Sequence, residues 1–222
     1  MINENDFTSK SVLFADILGF SKLTLKQREQ AESKLRTFSE VFANLVKKYD
    51  ESNISPHIFS DSVVVGFKNI GDARKFSETL FFETFKKEIP LRGTIGIGEF
   101  THKPNQYNKF SFTIGSGLVL ANLPEKFHIK GHTLLLVCEN KEMIIIEPDL
   151  VIFEDEEIQV LSKEFKAYIV PWWKQSQSKE IKNDIDERTQ GLNAETIIYL
   201  EKTREHMNYF TLRDRMVGFG EY

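Results

Sequence analysis

Phe14-Ala15-Asp16-Ile17-Leu18-Gly19-Phe20-Ser21 and, 45 residues after Asp16, Phe59-Ser60-Asp61-Ser62-Val63-Val64-Val65 are the two stretches that decide the fold. Each is an apolar, strand-like run carrying one aspartate. A buried carboxylate is costly unless something pairs with it, and a divalent cation is the usual partner. Two such strands side by side would hold Asp16 and Asp61 close enough to share two Mg²⁺ or Mn²⁺ ions. That equipment suits phosphoryl chemistry on a nucleotide.

Working outward, the hydrophobic pattern alternates strands and helices. Val12 to Ile17 reads as a buried strand and Ser33 to Asp50 as an amphipathic helix. Ile58 to Phe67 reads as one continuous strand, and Gly71 to Glu88 as a helix opened by Asp72 and stopped before Pro90. Leu91 to Phe100 is a third strand, His102 to Asn108 a polar loop, and Ser116 to Lys126 a helix. Thr133 to Val137 and Met143 to Ile146 are further strand candidates, with a terminal hairpin over Glu156–Val160 and Phe165–Val170. After Trp173 the composition turns polar, which marks a boundary. Residues 1–172 are expected to form the catalytic domain and 173–222 a helical appendage. This order of elements predicts an α/β (α+β) sandwich.

Composition narrows the function classes. The chain has 222 residues, enough for one sizeable core, with 41% hydrophobic and 28% charged residues. A net charge of −4 argues against a nucleic-acid partner. No run approaches a membrane span, and the acidic start Met1–Asp6 is unlike a signal peptide, so a cytoplasmic protein is expected. Nineteen Phe residues point to a Phe-rich core, and the lone Cys138, inside Leu134–Cys138, reads as a buried small hydrophobe. His102, His128 and His132 show no metal-ligand spacing and read as ordinary residues.

The run Phe14 to Ser21 resembles the opening motif of the class III nucleotidyl cyclases, an aromatic-x-Asp-Ile-x-Gly-Phe-Ser pattern. The resemblance continues through Asp61, where Ser60 replaces the family's usual glycine, and through Leu91-Arg92-Gly93-x-Ile95-x-x-Gly98. It extends to Gly115–Ala121 with Glu125 and to Phe165–Val170, spanning about Ser11 to Trp172. The implied fold has a mainly antiparallel central sheet flanked by helices. The implied cofactors are two Mn²⁺ or Mg²⁺ ions per site, held by Asp16, Asp61 and the Ile17 carbonyl. The amides of Gly19, Phe20 and Ser21 would cradle the triphosphate, joined by Arg92 and by Lys163 or Lys166. The implied assembly is a head-to-tail homodimer, with metals and Arg92 on one chain and most of the base pocket on the other.

The departures from the family pattern are informative. His57 stands where purine cyclases carry a base-selecting Lys or Glu, and Phe112 takes the second base-reading position. The transition-state Asn and Arg positions fall on Val119 and Leu123. This altered pocket, in a short chain without a sensor module, is similar to the pyrimidine cyclases of bacterial Pycsar antiphage systems. That similarity implies conversion of UTP, or CTP, to the 3′,5′-cyclic monophosphate and pyrophosphate, the product acting on a separate effector protein. The alternatives are an inert nucleotide-binding or dimerisation module and an adenylyl cyclase with an unusual base pocket. A diguanylate-cyclase relation is disfavoured, because its Gly-Gly-Asp/Glu-Glu-Phe signature is missing from the sequence.

Overall fold

The computed structural model describes residues 7–104, 111–126, 132–139, 151–152 and 165–173. In the C-terminal part it describes 181–183, 185, 200–201, 203–205 and 207–208. The elements follow in the order β1 (Phe7–Ile17), α1 (Phe20–Lys26), α2 (Arg28–Val46), β2 (Ile54–Phe59), β3 (Ser62–Phe67) and α3 (Ile70–Lys86). Then come β4 (Leu91–Pro104), β5 (Ser111–Ile114), α4 (Ser116–Lys126), β6 (Thr133–Glu139), β7 (Val151–Ile152) and β8 (Phe165–Ile169).

Eight strands form one sheet: seven run in the order β2-β3-β1-β4-β6-β8-β7, and β5 pairs with β4 off that path. Every pairing is antiparallel except β4 with β6. Strand alternation divides the side chains between two faces. On one face Leu13, Val63, Val65, Phe67, Ile95 and Cys138 meet the buried stripes of α2 and α3, among them Phe38, Phe42, Phe76, Leu80 and Phe81. Phe42, Tyr49 and Phe67 all set ring edges against Phe76, so the phenylalanine-rich composition is a core property. Cys138 is buried in this layer, as its surroundings in sequence suggest.

The opposite face is covered by α4. Val12, Val64, Phe100 and Ala121 form one buried group there, and Leu120, Leu135, Val137, Ala167 and Ile169 another. Glycine makes the close approach possible. A Cβ on Gly96 would lie 2.6 Å from the Ala121 nitrogen, and one on Gly117 would lie 2.7 Å from the Gly98 oxygen. The glycines of the β4 motif therefore let a helix backbone rest on a strand backbone.

Several local expectations change. The run read as one strand from Ile58 to Phe67 is a hairpin, broken at Ser60-Asp61, where Ser60 has φ 54°. Asp61 thus sits in the turn rather than within a strand. The helix predicted from Ser33 starts earlier, at Arg28, and a separate short α1 precedes it. Helix α3 is capped by Asn69, not Asp72. The Asn69 Oδ1 accepts from the Asp72 N–H at 2.7 Å, and its amide donates back to the Asp72 carboxylate. Strand β4 runs on to Pro104, through part of the segment read as loop. Met143–Ile146 and Glu156–Val160 lie outside the described residues.

Residues beyond Trp173 contribute to the same core. Ile181, Ile185, Leu200 and Met207 are buried in the cluster that holds Trp172 and Trp173. Among the described residues no helix is long and apolar enough to cross a membrane.

Candidate active site

Asp16 is the penultimate residue of β1, the strand at the middle of the β3-β1-β4 triplet. Its ladder partners are Ser62 on one side and Arg92 on the other. Arg92 grips the carboxylate with two bonds, Nε to Oδ1 at 3.1 Å and Nη2 to Oδ2 at 2.6 Å. Both side chains are mostly shielded, 16% and 13% exposed for Arg92 and Asp16. The planar fork matches the carboxylate, and removing one partner of such a shielded pair typically costs about 3–5 kcal/mol.

Asp61 arrives from the neighbouring hairpin. The Ile17 N–H donates to the Asp61 carbonyl at 3.0 Å, which ties the hairpin turn to the end of β1. The left-handed Ser60 supplies the change of direction that places Asp61 there. The family's glycine at this position would adopt that φ without strain. The Leu18 N–H donates to the Pro90 carbonyl at 2.9 Å, so the segment after Asp16 is fixed on both sides.

Gly19, at φ 71°, turns the chain into α1, whose first helical bond runs from the Leu23 N–H to the Gly19 carbonyl at 3.0 Å. The Phe20 side chain is buried and the Ser21 side chain exposed. Next to Arg92, a Cβ on Gly93 would lie 2.8 Å from the Phe81 ring and 2.9 Å from the Ala15 Cβ. That glycine lets the arginine strand lie close to β1.

The donor set suits a hard divalent cation. Asp16 and Asp61 offer carboxylate oxygens, and Ile17 offers a backbone carbonyl. The guanidinium of Arg92 already plays the part of a cation against Asp16.

The position implied for the base pocket lies on edge strand β2. His57 faces the same side of the sheet as Val64, its ladder partner. Its Nε2 lies 2.9 Å from the Ser55 Oγ, and its ring stacks at 6.3 Å on Phe59, which is 60% exposed. The His102 ring, from the far end of β4, lies 4.2 Å away between centroids. Burial, and then the charge of His102, push His57 down to about 4, and burial lowers His102 too. Phe112 is placed on β5 opposite Lys103, one ladder step from the pair His102 and Thr113. Its side chain lies outside the described set, as does that of Lys166, which pairs with Cys138 in β8. Lys163 lies outside the described residues. Val119 on α4 is 58% exposed, so it does not pack into its own chain's core.

Sequence reasoning passed over two histidines. His102 belongs beside His57, which the loop reading of His102 to Asn108 concealed. His132 is a buried structural centre. Its Nδ1 accepts from the Leu91 N–H at 2.7 Å, and its Nε2 lies 3.0 Å from the Phe81 carbonyl. Two bonds from one neutral ring fix the tautomer, with the proton on Nε2. Its backbone N–H donates to Thr203 Oγ1, and its carbonyl accepts from the Trp172 indole.

No family model matches the sequence, and no curated protein matches it. Solved structures do match by shape. The adenylyl cyclase CyaB from P. aeruginosa is 17% identical with a TM-score of 0.51, covering 77% of this chain and 98% of that one. The catalytic core of a rhodopsin-guanylyl cyclase with converted specificity, in complex with ATPαS, is 12% identical with a TM-score of 0.55. That match covers 76% of this chain and 99% of that one. An adenylate cyclase from Trypanosoma brucei, analysed in its monomeric state, is 12% identical with a TM-score of 0.51. It covers 76% of this chain and 90% of that one. The fold is that of the class III nucleotidyl cyclases. At these identities the likeness concerns the fold alone, and the chemistry rests on the residues at the site.

Proposed function

We propose that this chain is a nucleotidyl cyclase that converts a pyrimidine nucleoside triphosphate, UTP ahead of CTP, to its 3′,5′-cyclic monophosphate and pyrophosphate. It acts as a homodimer and generates the signal of an antiphage system. The observation that carries the cyclase reading is the shielded Asp16–Arg92 pair with Asp61 bound to the end of the same strand. An ordinary core gains little from such a charged group, whereas a triphosphate and divalent cations give each member a task.

In this reading Asp16, Asp61 and the Ile17 carbonyl hold the cations. Bound divalent ions supply charge neutralisation and a more acidic ribose 3′-hydroxyl. The ribose 3′-oxygen bonds to the α-phosphorus, the bond from that phosphorus to the bridging oxygen of the β-phosphate breaks, and the hydroxyl proton leaves to solvent. Arg92 moves from Asp16 to the β-phosphate, where its fork pairs with two oxygens of the departing pyrophosphate. The amides of Gly19, Phe20 and Ser21 receive the phosphate chain, and Lys163 or Lys166 its outer end. His57 and Phe112 meet the base of a nucleotide held by the partner protomer. The pyrimidine preference rests on the imidazole that replaces a purine-selecting Lys or Glu, together with the resemblance in the altered pocket.

An inert nucleotide-binding or dimerisation module is the second reading. The observation that favours it is Val119, an exposed apolar side chain where the resemblance calls for a transition-state Asn.

One experiment separates these readings. Purified protein is incubated with UTP, CTP, ATP or GTP and Mn²⁺, and products are identified by mass spectrometry, with Asp61→Ala as control. A cyclic pyrimidine monophosphate that disappears in the variant is expected, the loss being about three orders of magnitude or more. Cyclic AMP or cyclic GMP would refute the pyrimidine assignment. Bound nucleotide with no product from any of the four would favour the inert module.

A further inference from the structure

The far end of β4 does something that the sequence does not announce. Opposite Ser9–Ser11 the β1–β4 register shifts, and a bulge of this kind bends a strand. Beyond the shift, Phe100 lies over Gly66 so closely that a Cβ on that glycine would sit 2.6 Å from the ring. Two residues on, the His102 ring reaches the His57 ring of the edge strand. Ser55 holds His57 from the other side.

We infer that His102 is a positioning residue for base selection: with Ser55 it keeps His57 an uncharged imidazole, so the base meets the neutral Nδ1, as a donor or as an acceptor, rather than a charge. This rests on the reading of His57 as part of the base pocket. The physical reason is compact. Two imidazolium rings 4.2 Å apart would repel, and His102 also removes water from one side of His57. Both effects disfavour the protonated ring, in line with the lowering of His57 to about 4. Among the described residues the groups facing His57 are Ser55 and Phe59 on its own strand and His102 on β4, and His102 is the one that titrates. A serine hydroxyl donates or accepts, so it holds either tautomer of a neutral ring, which leaves Nδ1 for the base. A Lys or Glu at this position would offer only donors or only acceptors when charged. The His102 Nδ1 is itself buried and has no hydrogen-bond partner among the described residues. It is a polar atom in want of a partner beside the reader.

Two variants of the full chain test this. His102→Phe keeps a ring over His57, whereas His102→Asn uncovers it. First, the His57 ring is titrated by NMR without nucleotide. The wild type and His102→Phe should stay neutral down to about pH 5, and His102→Asn should titrate close to the ordinary histidine value of about 6.5. Second, binding of the α,β-methylene analogues of UTP, CTP, ATP and GTP is measured at pH 7.5 and 5.5, with tripolyphosphate as reference. The base preference of His102→Asn should fall about five- to tenfold at the lower pH, the worth of one hydrogen bond. The wild type and His102→Phe should not change, and tripolyphosphate binding should be the same in all three. A wild-type His57 that titrates near 6.5, or a His102→Asn profile that overlays the wild type, overturns the inference. A neutral His57 in a protein that binds all four analogues no better than tripolyphosphate would instead remove His57 from the base pocket, which is a failure of the functional reading.

Discussion

His132 and the His57–His102 pair are the same chemical group in opposite conditions. His132 is buried with both ring nitrogens bonded, its backbone amide and carbonyl bonded, and its ring between Phe81, Phe85 and Trp172. It joins β4, α3, the exit of β8 and a residue of the C-terminal part into one piece. The pair on the other face is half covered, stacked on an exposed phenylalanine, and includes a buried nitrogen without a partner among the described residues. A satisfied histidine is scaffold. An incompletely satisfied one, at the edge of a sheet and stacked on the outward-facing Phe59, is the kind of group that a ligand or partner can complete.

That contrast makes graded predictions. His132→Ala should be the most damaging to stability. It leaves the Leu91 N–H without its His132 acceptor and opens space among three rings, for a loss of about 3–5 kcal/mol in chemical denaturation. A loss below about 1 kcal/mol would mean that the neighbours close over the gap and that the ring is no hub. Lowering the pH should come next. The unfolded chain takes up a proton at His57 near pH 6.5, while the folded chain does so only near 4. Between those values the unfolded state binds more protons, so stability falls as pH drops through this window and levels off below it. Allowing for the partial exposure of the ring, the loss is about 1–2 kcal/mol. Wild type and His57→Phe should therefore differ at pH 5 by less destabilisation in the variant; parallel pH curves would rule out this account. Thr203→Val should cost about 1 kcal/mol, because it removes the acceptor for the His132 N–H. An unchanged denaturation midpoint would show that the C-terminal part does not brace the domain there. His57→Phe at pH 7.5 should be smallest in stability, within about 0.5 kcal/mol, while changing the base preference.

Much of this architecture could be read from the sequence, because hydrophobic period is a strong signal. The strand at Asp16, the helix over α4 and the strand at Arg92 fall where alternation and 3.6-residue spacing put them. What escaped was local and short-range. The polar Ser60-Asp61-Ser62 lies between two apolar runs, a hairpin signal that the valines after it overrode. Asn69 three residues before Asp72 is a cap signature, but Asp72 alone drew attention. At the site, the two aspartates were visible because carboxylates are conspicuous in apolar runs. The Arg92–Asp16 ion pair was not, since it depends on ladder register rather than on spacing along the chain. The role of His132 depends on segments from four parts of the sequence, and no local pattern encodes that.

The bidentate grip of Arg92 on Asp16 also bears on how the protein waits. A pocket of bare carboxylates would repel itself and tie folding to the metal supply. Here an internal counter-charge stands in, so under the proposed function a chelator should abolish activity and leave the domain folded. On that account the newly made chain should reach its native form without an ion, and the pair should open for a charged ligand rather than during folding.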